Sequence, residues 1–549
     1  MRKLHHYQID PQYQKSVAYF SMEFAIDQAL KTYSGGLGFL AGSHMRSARE
    51  LRQNIIGIGM LWSYGYYDQN RYEDNTLKVD FRRKFYYFLQ ETGIVVEVMI
   101  NNKPVKVKAY LLPGSVFGTA PVVLLTTDIF ENDYLSQTIS HRLYDINEET
   151  RIAQEIVLGI GGLKVLKALG QDIEIYHMNE GHSLPLAFEL YQSYKNIEEV
   201  KKRLVFTTHT PEMAGNEEHD IGLLARMGFF AGLNAEEVQH LLDYHAQNFS
   251  LTVGALKLSK RSNAVSKIHE KVSNQMWSHV KGRSEIVSIT NAQDMNYWAD
   301  KQLLSWMQEH EDYQLIGRKK HLKHKLFEEV ADQTGKLFDP DVCTLVWARR
   351  FAEYKRPKLL IRDMERFRNL VQNNDTPIQI IWAGKPYPFD TNAIDAFNEL
   401  VLMSKEFKNV AVLIGYELRL SKLLKQGSDL WLNTPRWGRE ASGTSGMSAG
   451  VNASINFSID DGWIAEFAKD GQNAFVIPHA DPNLPIEEID RLDYEHMMQK
   501  LENLILPMYY NNPKKWLQIA KNGMRDILHY FDSTRMADEY YKKMYTYKE

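Results

Sequence analysis

From about residue 340 onward the sequence alternates short, wholly apolar runs with longer amphipathic stretches, and this alternation constrains its fold more than any other feature. "TLVWA" leads into "RRFAEYKRPKLLIRDMERFRNLV", "IQIIWAG" into "KPYPFDTNAIDAFNELVLMSKEF", and "VAVLIGY" into "ELRLSKLLKQG". A run that is apolar at every position must be buried on both faces, and a strand achieves this in a parallel sheet covered by helices on either side. "SDLWLN" continues the pattern. The first half repeats it more loosely, with "VAYFSME", "IEIYHMNEGH", "RLVFTTHTP" and "EIVSITNAQ" as buried strands carrying polar residues at their carboxyl ends. In open α/β sheets, ligands bind at that edge.

The expected fold is therefore α/β, with two Rossmann-like domains facing each other across a cleft. The reading assigns residues 1–290 to the first domain, 291–525 to the second, and 526–549 to a C-terminal helix that packs back on the first. No repeat, low-complexity tract or long Gly/Ser/Pro linker separates the domains, so they are expected to be closely apposed.

Of 549 residues, 44% are hydrophobic and 24% charged, enough to build large cores, and the net charge of -4 gives no basic footprint for nucleic acid. The opening residues lack the apolar core of a signal peptide and no uncharged apolar run reaches eighteen residues, so neither secretion nor membrane insertion is expected, and the protein is read as cytoplasmic. Cys343 is the only cysteine, which excludes an internal disulfide and a thiolate metal cluster. Its setting, "DVCTLVWA", reads as a buried strand.

Three stretches combine residues suited to anion and sugar chemistry. "YSGGLGFLAGSH" places Gly35, Gly36, Gly38 and Gly42 between a strand and a helix expected to begin near Leu40, where backbone N–H groups can approach an anion. "ARRFAEYKR" puts Arg349, Arg350 and Lys355 at a strand end and the first turn of the following helix, as a guanidinium fork and an ammonium able to reach one phosphate or diphosphate. "GREASGTSGMSAG" offers the N–H groups of Gly443, Thr444, Ser445 and Gly446 at a helix start. Glu440 just before them serves either the helix dipole or sugar hydroxyls. His182 and His209 sit at strand ends without HExxH spacing or cysteine companions, so no metal is expected. A G-x-S-x-G elbow and a Walker loop are both absent.

Taken in order, "VAYFSMEF", "YSGGLGFLAGSH", "QEIVLGIGGLKVLKALG", "NEGHSLPLAFE", "FTTHTPEMAGNEEHD", "SKIHEKVSNQMW", "ARRFAEYKR", "WLNTPRWGREASGTSGM" and "DGWIAEF" resemble the α-glucan phosphorylases (glycogen, starch and maltodextrin phosphorylases), particularly their short prokaryotic branch. The resemblance implies a GT-B fold, with an α-glucan or maltodextrin and phosphate or glucose 1-phosphate as partners. It also implies retention at the anomeric carbon and a homodimer. By matching motifs, Arg350, Lys355 and the backbone at Gly36 would hold substrate phosphate, and the carbonyl of His209 would face the developing oxocarbenium ion. Asn291, Glu440, Ala441, Ser442 and Gly443 would bind glucosyl hydroxyls. Arg349, Gly443, Thr444 and Ser445 would cradle the phosphate of pyridoxal 5′-phosphate.

The chain departs from that family in more than one place. The cofactor lysine belongs directly after "GTSGM", where this sequence has Ser448, and "ITNAQD" carries Ala292 where a glycine is usual. A hydroxyl cannot form a Schiff base. No covalent pyridoxal phosphate is expected, which leaves non-covalent binding open. The resulting expectation is a phosphorylase-type glucosyltransferase acting on α-1,4-glucans, with a nucleotide-sugar-dependent glucosyltransferase and a non-catalytic glucan-binding homologue as alternatives.

Overall fold

A computed structural model of the chain describes residues 3–212 and 215–547. The chain divides into two compact units. Unit 1 comprises residues 1–67, 81–291 and 533–549, and unit 2 comprises 68–80 and 292–532.

Unit 1 is built on a nine-stranded sheet. Seven strands run parallel in the order Ile286–Ser288, Arg261–Ala264, Leu204–Thr207, Ile175–Asn179, Val17–Phe20, Ile55–Met60 and Val122–Thr126. Lys103–Leu112 and Gln90–Ile100 then continue antiparallel at one edge. The central strands are buried along their whole length, as a sheet covered on both faces requires. The antiparallel edge strand Gln90–Ile100 instead alternates exposed with covered residues over much of its length.

Unit 2 has six parallel strands: Cys343–Ala348, Ile378–Ala383, Val410–Leu413, Leu430–Asn433, Ile455–Ile459 and Phe475–Ile477. Ranked along the chain, they lie in the spatial order 3-2-1-4-5-6. That is the dinucleotide-fold order, with its reversal between the first and fourth strands. Cys343 is fully buried within the first strand, as its setting implies. Among the described residues no helix is long and apolar enough to cross a membrane.

Three boundaries differ from the sequence reading. The second half of the chain joins unit 2 at Ala292 rather than 291. The return to unit 1 falls at Ser533 rather than 526, because Ile527 and Phe531 belong to an apolar cluster with Met295, Trp463 and Phe467 of unit 2. Beyond it, the helix Ser533–Tyr540 is fixed within unit 1. Ser533 Oγ lies 2.6 Å from Ser47 Oγ, the carbonyl of Ala537 accepts from Gln53 Nε2 at 3.0 Å, and Tyr545 OH is 2.7 Å from Nδ1 of buried His177.

The third difference was not foreseen. The hairpin Asp68–Arg71 and Leu77–Asp80, expected in the first domain, belongs to unit 2. Buried Gln69 carries much of this attachment: Nε2 donates to the carbonyl of Gly384 at 2.9 Å, and Oε1 accepts from the N–H groups of Gly415 at 2.9 Å and Tyr416 at 3.1 Å. Arg71 donates to the carbonyl of Val412 at 2.7 Å, and the Leu77 N–H to Asn398 Oδ1 at 2.8 Å. Gln69→Ala strips partners from three backbone groups at once. It is expected to destabilise unit 2 by about 1–3 kcal/mol, read as a lowered denaturant midpoint.

Candidate functional site

In unit 2 the reversal of strand order places the carboxyl ends of Cys343–Ala348 and Leu430–Asn433 side by side. Arg349 follows the first directly and is buried. Its Nη2 donates to the carbonyl of Leu432 at 2.8 Å, and the guanidinium lies 5.4 Å over the Trp347 ring. Burial pulls its pKa below the usual arginine value, with the charge of Glu440 opposing. Arg349 Nε, Asn433 Oδ1 and Ser442 Oγ are all buried without a hydrogen-bond partner among the described residues. Each such group costs about 1–3 kcal/mol when left unmade. Arg349 and Asn433 stand at the ends of two neighbouring strands and Ser442 in the loop that follows the second, a setting suited to a polar ligand.

Lys355 reaches this place by a route the sequence reading did not foresee. It lies not in the first turn of a helix but in the short turn Glu353–Lys355, and the next regular α-helix starts only at Met364. Arg356, at φ +51°, and Pro357 interrupt the backbone. A cation in the first turn of a helix would oppose the helix dipole, and without that helix Lys355 meets no such conflict. The Arg356 side chain donates to the carbonyls of Thr434 at 2.8 Å and Pro435 at 2.9 Å and to Asp490 at 2.9 Å, clamping the turn against the neighbouring strand end. Lys355 Nζ then sits 2.9 Å and 3.2 Å from the two carboxylate oxygens of Glu440. Arg350, next to Arg349, is exposed.

Glu440 and Ala441 are buried, and the Glu440 N–H donates to Asp461 Oδ2 at 2.9 Å. Asp461 also accepts from the Gly462 N–H at 2.8 Å. Burial pushes its pKa up to about 7 against the pull of these backbone donors. Sequence reasoning passed over Asp461 and Asn433, although both lie in quoted or adjacent strand-end stretches, "DDGW" and "WLN". Gly443 has φ +78°, a conformation that favours glycine, and turns the chain into the helix Ser445–Gly450. The N–H groups of Gly446 and Met447 bond back to the carbonyls of Gly443 and Thr444. Those of Gly443, Thr444 and Ser445 donate to nothing among the described residues. Ser448 is fully buried on this helix, with Oγ 3.3 Å from the carbonyl of Ser445.

Unit 1 has its own strand-order reversal, between Val17–Phe20 and Ile175–Asn179. The four glycines of "SGGLGFLAG" divide by role. A Cβ on Gly38 would come within 2.6 Å of Tyr33 Cβ, and one on Gly42 within 2.1 Å of the Ala25 carbonyl, so these two serve close packing. Gly35 and Gly36 face open space. The helix starts at Gly36, earlier than the expected Leu40. Glu23 fixes the approach to it, accepting from Ser34 N–H at 2.6 Å, Ser34 Oγ at 2.9 Å, Gly35 N–H at 3.1 Å and Tyr144 OH at 2.6 Å.

His209 is half-buried, with Nε2 2.7 Å from Asn179 Oδ1, and desolvation pushes its pKa down to about 3, so it is neutral. The Glu180 carboxylate accepts the His209 N–H and, at 3.2 Å, the Thr210 hydroxyl. Its backbone sits at φ +69°, uncommon for glutamate, and burial raises its pKa to about 7. Glu23, Asn179 and Glu180 were not singled out from sequence, although "NEGH" carries the last two. His182 is neutral for the same reason as His209, with its pKa pushed down to about 3 by burial. Asn291, the last residue of unit 1 before the crossing, is buried. Its N–H donates to the Val265 carbonyl at 3.0 Å, and Oδ1 lacks a partner among the described residues.

Arg349, Lys355, Glu440, Ala441, Ser442, Gly443, Thr444 and Ser445 thus gather in unit 2, beside exposed Arg350. Gly36, His209 and Asn291 belong to unit 1. No protein-family model matches the chain. An uncharacterized protein of Methanocaldococcus jannaschii is 49% identical over 97% of this chain and 100% of its own length. A glycogen phosphorylase of Mycobacterium tuberculosis is 29% identical over 96% of this chain and 70% of its own. A maltodextrin phosphorylase of Thermococcus litoralis is 31% identical over 98% of this chain and 71% of its own. With relatedness of that extent running through both units, the chain belongs to the glycogen and maltodextrin phosphorylase family.

Proposed function

We propose that the protein is an α-glucan phosphorylase-type glucosyltransferase of the GT-B class, moving a glucosyl unit between an α-1,4-glucan and phosphate. The observation that carries this reading is the group of unpartnered buried atoms of Arg349, Asn433 and Ser442 beside the Lys355–Glu440 pair, at the strand-order reversal of unit 2. Arg350 and Lys355 supply positive charge for a phosphate, and Glu440 and Ser442 supply acceptors for sugar hydroxyls. In the phosphorolytic direction a phosphate oxygen bonds to the anomeric carbon, the bond from that carbon to the departing glucan oxygen breaks, and the proton leaving phosphate ends on that oxygen. The same reading makes the protein a cytoplasmic homodimer.

Pyridoxal phosphate fits this chain at one end only. The free N–H groups of Gly443, Thr444 and Ser445, together with Arg349, suit its phosphate, whereas Ser448 offers no amine for its aldehyde. Any such cofactor is therefore held without a covalent link at residue 448. The test pairs wild type with Ser448→Lys. Wild-type protein given maltodextrin and glucose 1-phosphate should release phosphate and lengthen the glucan, and borohydride should fix no pyridoxyl group. Ser448→Lys with added pyridoxal phosphate should gain a reducible adduct. Chain growth that requires a nucleotide sugar and releases nucleoside diphosphate would replace this reading with the sugar-nucleotide alternative.

A further inference from the structure

The helix Glu148–Ile156 presents Glu148, Arg151 and Glu155 on one face, at spacings of three and four residues. Glu155 is fully buried, and both of its carboxylate oxygens lack a partner among the described residues. Facing it from another part of unit 1 are Glu217 and His219, the latter on the strand Glu218–Asp220. One ligand atom from each of Glu155, Glu217 and His219 lies within 4.8 Å of the other two. His219 is buried, and its Nδ1 is 2.8 Å from Glu148 Oε1, which leaves Nε2 buried and without a partner. Glu217 gives one oxygen to Arg151 and keeps Oε2 buried and unpartnered.

We infer that Glu155, Glu217 and His219 form a site for a divalent transition-metal cation of the zinc or manganese class. The chemistry of the donor set supports this. Two carboxylates and one imidazole make a three-ligand set, and imidazole selects such ions over magnesium or calcium. Glu148 stands where a carboxylate fixes the ring orientation and tautomer of a metal-binding histidine, the arrangement that leaves Nε2 for the metal. Charge points the same way. Glu148 and Glu217 face Arg151, while burial pushes the pKa of Glu155 up to about 8, so that a divalent ion would take the place of its proton and stabilise the buried carboxylate. Bonds of about 2.1 Å require the three ligand atoms to draw together by roughly an ångström, within reach of side-chain rotation. The Glu217 side chain is about one-third exposed, which gives the ion a way in.

The ion would hold more than its own ligands. Arg151 lies 5.0 Å over the Tyr144 ring, and Tyr144 OH donates to Glu23, which fixes Ser34 and Gly35 ahead of the helix at Gly36. The role assigned is therefore structural, steadying the glycine turn. Sequence spacing could not reveal the site, because Glu155 is some sixty residues from its partners and no motif links them. The inference does not depend on the glucosyl-transfer reading.

The experiment uses the full chain, purified without metal-affinity resin, and measures metal content and thermal midpoint. About one equivalent of zinc or manganese per chain is expected, bound as found or after addition and dialysis. Chelation should lower the midpoint, and Zn²⁺ or Mn²⁺ but not Mg²⁺ should restore it. Glu155→Gln should abolish binding. Glu148→Gln, at an exposed position, should fold as wild type and weaken Zn²⁺ affinity ten- to a hundredfold. A chain that takes up no metal and whose midpoint ignores both chelator and Zn²⁺ overturns the inference, as does full metal retention by both variants.

Discussion

Alanine at position 350 is expected to slow glucosyl transfer about a hundredfold, a loss on the order of 3 kcal/mol of transition-state stabilisation. Arg350 is exposed and follows a strand whose own residues are all buried, so removing its side chain should leave folding stability within about 0.5 kcal/mol of wild type. Glucan affinity should also hold, because the charge of Arg350 is matched to phosphate rather than to sugar hydroxyls. Steady-state rates with glucose 1-phosphate, set beside maltodextrin binding by calorimetry, provide the check. Turnover at the wild-type level in a folded variant would remove Arg350 from the site. Loss of both turnover and glucan binding would mean that the loop, rather than a phosphate contact, had been lost.

The second large effect is on stability. Asp429, just ahead of the strand Leu430–Asn433, is buried; its carboxylate accepts from Lys323 Nζ and, at 2.9 Å, from the Thr344 N–H. Lys323 is equally buried on the long helix Asp312–Thr334, and its other acceptors are neutral: the Val342 carbonyl at 2.7 Å and Tyr509 OH at 3.5 Å. Asp429→Ala would leave an ammonium in the core of unit 2 with no opposing carboxylate. Breaking one side of such a pair costs about 3–5 kcal/mol. The thermal and urea midpoints should fall accordingly. The double variant Lys323→Met with Asp429→Leu should recover much of the loss, because two apolar side chains remove the uncompensated charge. If the single variant lost nothing, the lysine would have to reach water from where it stands.

Four strands of each sheet were legible because burial on two faces demands continuous apolar runs, whereas an edge strand such as Gln90–Ile100, exposed at alternate residues, carries no such run. Arg349 was legible for a related reason, as a polar side chain directly after such a run, whereas Asn179 and Asn433, the last residues of their own strands, were passed over. What escaped depended on contacts between segments remote in sequence. The hairpin at 68–80 reads as polar, "DQNR" and "LKVD", because its attachment to unit 2 runs largely through hydrogen bonds between side chains and backbone, with Leu77 joining the apolar core. The turn at Lys355 was mistaken for helix because "RRFAEYK" has helical composition, while Arg356 at positive φ and Pro357 decide otherwise. Glu440 was placed beside Gly443, Thr444 and Ser445, but its pairing with Lys355 depends on Arg356 tying the turn to Thr434 and Pro435, which no local pattern encodes.

The placement of the 68–80 hairpin also bears on how the protein is made. A ribosome completes the hairpin at Asp80, long before it synthesises Cys343, the start of the first strand of the sheet on which the hairpin rests. Gln69 then waits for Gly384, Gly415 and Tyr416 to emerge. During that interval the nascent first unit must extrude a polar loop as it folds, and the second unit cannot finish until the loop is captured. A polar, charged hairpin suits that wait, since it offers little apolar surface to wrong partners while it stands alone. The two units are therefore not independent folding modules in the order of synthesis: the second depends on a segment delivered with the first.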